Sequence, residues 1–358
     1  MTEAGSRRFV FNDVAVFDGM RQAGRQTVVV AGGHILAVGD SAVRIPGYQP
    51  VPGEGRTLLP GFIDCHVHLG LVRPARVLAG GVTTARDLGW PARKIFRLAG
   101  ELASNPLAGP GLLAAGPMLT ARGGYPARAG WGPRGTAEEV ASAAEGVAAV
   151  RALADRGAAV IKVAQEPRSG PTLPGDVLTA IVAAAHGRRL SVSSHCGALA
   201  QLELALDAGV DELAHGLWSD EPIPGELIER MVSAGMVVIP TLHIAPSEAR
   251  IGNLRRFFEA GGRVAYGTDM GNAGPPQGID ATELSLMVRA GLSPTEALAA
   301  GTAGAARHLG LAGVGRIAEG AVADLVLVEG DPLAGFGPLS RPAMVLRRGW
   351  RIGNGEVA

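Results

Sequence analysis

The sequence predicts an α/β protein: a (β/α)8 TIM barrel carrying a small β-sandwich formed by the N- and C-terminal segments. Three observations carry this. Between about residues 60 and 312, eight short apolar runs alternate with Ala- and Leu-rich helical stretches, the rhythm of a parallel sheet. The length of that span matches the roughly 250 residues of such a barrel. The flanking segments, 1–59 and 313–358, read instead as short strands broken by turns. Each is too short to bury a core alone, so the two are expected to pair.

In chain order, RFVFNDVAVFDG, QTVVVAGGHILAVGD and EGRTLLPG are strands punctuated by Gly, Asn and Asp. The eight runs follow: FIDCHVH, GVTTARDLG, LLAAG, AAVIKVA, RLSVSSH, VDELAH, MVVIPTL and RVAYGTD. The stretch from Ala108 to Arg134 is rich in Gly, Pro and Arg. It is expected to form a long loop at the mouth of the barrel, where loops usually carry function. VADLVLVEGDPL and AMVLRRGWRIGNG return to the β rhythm.

Composition removes several classes of function. Of 358 residues, 47 % are hydrophobic, enough for a sizeable core. Lys and Arg total 33, as do Asp and Glu. That balance argues against a nucleic-acid footprint or an anionic-membrane anchor. Two cysteines, Cys65 and Cys196, imply no disulfide scaffold. No run is long enough for a membrane span, and the N-terminus lacks a signal-peptide pattern, so a cytoplasmic protein is expected.

His66 and His68 stand two apart at the end of the first run. Strand period places both on one face. Two imidazoles inside a barrel need a partner, and a divalent metal is a common one. Asp64 shares their parity and is expected to support them as an acceptor. Spacing adds to the case, a βα unit being roughly 30 residues. From His68 to Lys162 is three units, from Lys162 to His195 one, from His195 to His215 one short unit, and from His215 to Asp269 two. Ligand-type residues therefore fall on strands one, four, five, six and eight, near their C-terminal ends, where this fold builds active sites.

Only two of the 33 basic residues are lysine, Lys94 and Lys162, and Lys162 lies inside an apolar run. One reading is a buried ion pair with Glu166 or Asp155. The other is that burial supplies a neutral amine that captures carbon dioxide as a carbamate, whose two oxygens can bridge two cations. Arginine cannot do this.

The run PGFIDCHVH with Lys162, His195, His215 and Asp269 resembles the amidohydrolase superfamily of metal-dependent hydrolases. The flanking strands and the phrase GRIAEGAVADLVLVEGDPL share the resemblance. GVTTARDLG, LDAGVDELAHG and GTD further resemble its imidazolonepropionase-like and Xaa-Pro dipeptidase branch. The branch often has a second histidine two residues after the strand-five ligand; this chain has Gly197.

The resemblance implies two divalent metal ions, zinc by expectation. His66, His68 and Asp269 would hold the more buried ion, and His195 and His215 the more exposed one. N6-carboxylysine at Lys162 and a metal-bridging hydroxide would join them. Asp269 would be catalytic, taking a proton and delivering it to the leaving amine. The implied reaction is hydrolysis of a C–N bond in an amide, peptide or lactam, with a dipeptidase as the leading case. The partner is then a small-molecule substrate, and a homo-oligomer is implied by analogy alone.

His243, after strand seven, is expected at the substrate or transition state, with a plain rim histidine as the alternative. Tyr125, Arg128 and Arg122 in the long loop are expected substrate contacts, with solvated loop residues as the alternative. His34, His186 and His308 read as structural, the two cysteines as buried packing, and Thr268 as a neighbour of Asp269. One rival is a mononuclear deaminase or imidazolone-type cyclic amide hydrolase. Others are a non-hydrolytic metal-assisted step and a non-catalytic barrel; the last requires a broken ligand set, and here all six positions are filled.

Overall fold

The structure is a computed structural model that describes residues 7–40 and 44–353. The remainder of the expected terminal strands, 1–6, 41–43 and 354–358, lies outside the described residues.

Eight parallel strands follow the eight apolar runs. They are Phe62–Val67, Val82–Asp87, Gly111–Ala114, Val160–Gln165, Ser191–Cys196, Glu212–Ala214, Val237–Ile239 and Arg263–Val264, counted one to eight below. Strands one to three form one parallel sheet, and strands four to eight belong to a second. Backbone hydrogen bonds cross both gaps. Ala159 N donates to Ala114 O (2.9 Å), and Cys65 N to Tyr266 O (3.0 Å). This is a TIM-barrel-type α/β arrangement. Helices cover its outer face, and the largest apolar cluster joins strands four to seven to them through residues such as Ile161, Ile181, Leu202 and Met231. Local chemistry starts several helices. Ser142 caps Ala143–Asp155 by accepting from Glu145 N, and Ser293 with Glu296 forms a capping box on Pro294–Ala300.

Two expectations change. Ala108–Arg134 is not all loop. Met118–Ala121 is a strand, paired with Ala137–Val140 and touching strand four at Val163. Its apolar side chains are buried, so sheet pairing outweighs the surrounding Gly and Pro. The eighth run forms a strand only over Arg263–Val264; the rest descends as irregular chain to Asp269, held to strand one by Asp269 N donating to His66 O (2.8 Å).

The two chain ends do meet. Leu325–Glu329 lies antiparallel to Arg56–Pro60, with Leu59 opposite Val326. The assigned strands make one mixed eight-stranded sheet. Its buried face gathers Phe9, Phe11, Val28, Leu58, Leu325 and Leu346 in one cluster. Arg56–Pro60 runs straight into strand one, so this sheet anchors the strand that carries the histidine pair. No helix among the described residues is long and apolar enough to cross a membrane.

Candidate metal centre

Strand pleating sorts the side chains. Cys65 packs with Ile63, Val237 and Ile239 against Ala305 and Ala306, and Cys196 joins the helix-facing cluster. Both thiols therefore face away from their histidine neighbours, as alternation requires. Lys162 stands level with Ser193 and Ala164 with His195, while His195 stands level with Ala214, just before His215. Lys162, His195 and His215 thus come from three adjacent strands.

The backbone at this rim is unusual. His215, Thr241 and Asp269 have φ of 71°, 42° and 56°, at or beyond the ends of strands six, seven and eight. A β-branched residue in that region is rare. Such strain clusters at functional sites. Here it aims side chains at one point: Thr241 Oγ1 lies 2.8 Å from His215 Nδ1.

All six expected ligand residues are brought to this rim. Asp269 Oδ1 lies 3.0 Å from His68 Nε2 and 3.3 Å from His66 Nε2. Its Oδ2 lies 3.9 Å from His215 Nδ1. Ring centroids stand 4.5 Å apart for His66 and His215, and 5.1 Å for His195 and His215. His68 Nδ1 lies 3.1 Å from Gly89 O, which fixes its proton there and leaves Nε2 toward Asp269.

These groups suit a cation. The buried atoms His66 Nδ1 and Nε2, Lys162 Nζ and Asp269 Oδ1 have no hydrogen-bond partner, a condition native structures rarely leave unexplained. Two donors on one tetrahedral zinc stand about 3.3 Å apart, close to the spacing of Asp269 Oδ1 from the two imidazoles. His66, His68 and Asp269 form a ligand group by geometry. Burial, reinforced by neighbouring positive groups, holds His66 and His215 well below the usual histidine range. Burial likewise lowers His195. Neutral imidazoles are what a metal needs. His68 moves upward; burial pushes it down, but Asp269 outweighs that.

Lys162 is pushed to about 7 by burial. The alternative ion pairs do not form. Glu166 is taken by Arg168 and His195, and Asp155 by Arg188. Beneath the site, Asp64 accepts from Thr268 Oγ1 (2.6 Å) and from the main-chain N of His66 (3.0 Å). Asp64 therefore supports the backbone of strands one and eight, not an imidazole ring. Arg86 pairs with Glu212 at 2.7 Å, and Glu212 also meets His308, so His308 is structural as expected. His186 pairs with Asp211 on the outside, and His34 sits on an antiparallel strand of the terminal sheet.

A cavity of about 260 Å³ opens over Lys162, His68, His195, His215 and Asp269. Only 4 % of the chain is aromatic, yet Tyr125, Trp131 and Trp218 all wall this cavity. Trp218 stands 5.0 Å from His215 and 5.5 Å from His195, with the Arg250 guanidinium carbon over its ring, 4.1 Å from the centroid. Tyr125 is therefore at the site. Arg128 is not: turns closed by Ala127 N to Gly124 O and Ala129 N to Pro126 O carry it to a separate surface hollow. Arg122 pairs with Glu145 on the surface. His243 stays outside the cavity lining, its Nδ1 2.6 Å from Asp280 Oδ2. Sequence reasoning missed Trp131, Trp218, Thr241 and the role of Glu166 and Arg168. Glu166 is buried, which pushes its carboxyl up, but bonds from His195 and Arg168 overcome this and hold it at about 2.

Residues 57–350 match the family model described as the amidohydrolase family. An uncharacterized protein of Mycobacterium tuberculosis is 28 % identical over 347 residues, covering 85 % of this chain and 89 % of its own. An imidazolonepropionase of Anaeromyxobacter is 33 % identical over 174 residues, covering 48 % of this chain and 37 % of its own. Among solved structures, a Xaa-Pro dipeptidase with methionine bound in its active site superposes with a TM-score of 0.84 at 23 % identity, covering 96 % and 99 % of the two chains. With the family model spanning most of the chain, over the strands that build the site, this protein belongs to the amidohydrolase family and is a hydrolase acting on carbon–nitrogen bonds.

Proposed function

We propose that the protein is a binuclear metal-dependent hydrolase of small amides, with dipeptides as the leading substrates. The observation that carries this is Lys162, whose buried Nζ has no partner beside four imidazoles and Asp269. Its amine can add to carbon dioxide, forming an N–C bond and releasing one proton. The resulting carbamate presents two anionic oxygens. His66, His68 and Asp269 would hold one divalent cation, His195 and His215 a second, and carboxylated Lys162 both. Zinc suits this nitrogen-and-oxygen donor set. Bound there, the cations would polarise the scissile carbonyl and lower the pKa of water.

The chain's own groups supply the rest. Asp269 Oδ2 faces the cavity beside His215. It accepts the proton of the attacking water and returns it to the leaving nitrogen. Tyr125, Trp131 and Trp218 exclude water and grip apolar parts of the substrate. Arg168 at the mouth suits a carboxylate, which favours dipeptides and N-acyl amino acids. Arg128 and His243 are given no step. The reading treats 60–312 as a closed catalytic barrel and 1–59 with 313–358 as one sandwich-like domain, in a cytoplasmic protein.

The test is a library of dipeptides, N-acyl amino acids, lactams and lactones assayed with zinc-loaded protein. Turnover of a carboxylate-bearing amide is expected; turnover confined to lactones would refute C–N specificity. A second reading, a mononuclear imidazolone-type ring hydrolase, is favoured by the Anaeromyxobacter relative. It predicts one metal per chain and opening of a cyclic imidazolone.

A further inference from the structure

We infer that Glu166 is a positioning residue for the outer cation: it accepts a hydrogen bond from the Nε2–H of His195, keeps the proton on that nitrogen, and so presents Nδ1 of the ring to the metal. This rests on the binuclear reading above.

Four observations support the assignment. Glu166 Oε2 lies 3.3 Å from His195 Nε2, and both side chains are only 5 % exposed. Oε1 is already occupied, accepting from the main-chain N of Arg168 (3.0 Å) and from its Nε (3.2 Å). Oε1 is thus tethered, and Oε2, which also takes a longer bond from Arg168 Nη2 (3.5 Å), lies against the imidazole. The tether begins in a single turn, Pro167–Ser169, for which Glu166 is the cap. Finally, the backbone opposite makes room. A Cβ on Gly197 would lie 2.8 Å from both Cδ and Oε1 of Glu166, and 2.7 Å from Pro167 Cδ. Glycine at 197 and the carboxylate at 166 therefore fit as a pair.

The chemistry follows from the tautomer. A neutral imidazole has one N–H and one lone pair. A carboxylate at Nε2 holds the proton there, so the lone pair sits on Nδ1 and the ring gains basicity. Without it, the proton is free to occupy either nitrogen, and coordination must first select the correct form. Arg168, exposed at the cavity mouth, is the outer end of this Arg168–Glu166–His195 chain.

The test compares wild type, Glu166→Gln and Gly197→Ala, all zinc-loaded in bicarbonate. Zinc affinity is read by competition with a chromophoric chelator, and ligand geometry by the visible spectrum after cobalt substitution. Glu166→Gln should weaken one zinc equivalent by roughly tenfold to a hundredfold, leave the other within about twofold, and shift the cobalt bands. Gly197→Ala displaces the carboxylate without deleting it and should weaken the same equivalent. Should Glu166→Gln fail to fold, Gly197→Ala decides. Two equivalents of unchanged affinity in the folded variants would overturn this inference and leave the binuclear centre standing. Fewer than two equivalents in wild type would overturn both.

Discussion

Replacing Lys162 by methionine should have opposite effects in the metal-free and metal-loaded protein. Methionine keeps an unbranched chain, places a thioether sulfur where lysine has Cδ, and lacks the nitrogen. That nitrogen has no hydrogen-bond partner to lose. Burial has moved its pKa from an ordinary 10.5 to about 7. At about 1.4 kcal/mol per tenfold change, the move corresponds to about 5 kcal/mol, the ceiling on what removal restores. Even buried ion pairs exchanged for apolar packing return only about 1–4 kcal/mol, so a gain of a few kcal/mol is expected here. In chelator at pH 7, Lys162→Met should therefore unfold at higher urea than wild type. Loaded with zinc, the order reverses: the variant loses a metal equivalent, and turnover goes with it. Urea unfolding followed by circular dichroism, run with chelator and with zinc, reads both halves. A variant less stable than wild type in chelator would show that Lys162 is already satisfied by the protein. A variant with two zinc ions and full turnover would end its bridging role.

Other outcomes follow from groups around the site. Burial pushes Glu283 from 4.5 to about 8. A carboxyl raised in the fold destabilises as it ionises, with no effect below pH 4.5 and the full effect above 8. Glu283→Gln should match wild type at pH 4.5 and gain stability by pH 8.5 in urea unfolding; a pH-independent difference would refute this. Arg86→Met leaves the fully buried Glu212 with His308 as its remaining partner and should cost about 3 kcal/mol in the same assay; a loss below 1 kcal/mol, on the order expected for a solvated pair, would be inconsistent. Thr241→Val removes the oxygen 2.8 Å from His215 Nδ1. It should lower kcat/KM by about tenfold or more, while stability falls by only about 1 kcal/mol; unchanged kcat/KM would contradict that role.

Much of the site was legible because it sits on strands. His66, His195, His215 and Lys162 each occupy or end an apolar run, and pleating plus the spacing of βα units determines where their side chains go. Lys162 stood out because lysine is scarce here. What could not be read lies where the chain leaves the strands. Glu166 and Arg168 reach His195 only through the turn Pro167–Ser169. Trp131 and Trp218 sit in connections whose paths depend on distant contacts, such as the stacking of Arg250 on Trp218. Tyr125 and Arg128 are three apart, yet a pair of turns sends one into the cavity and the other away from it. The terminal segments meet where Arg56–Pro60 pairs with Leu325–Glu329, but their joining as one assigned sheet depends on which edges meet, which alternation alone does not encode.

The most direct measurement is metal content per chain after zinc loading in bicarbonate, for wild type and Lys162→Ala side by side. About two zinc ions are expected in wild type and at least one fewer in the variant. A wild type holding a single zinc, unaffected by removal of Lys162, would contradict both expectations.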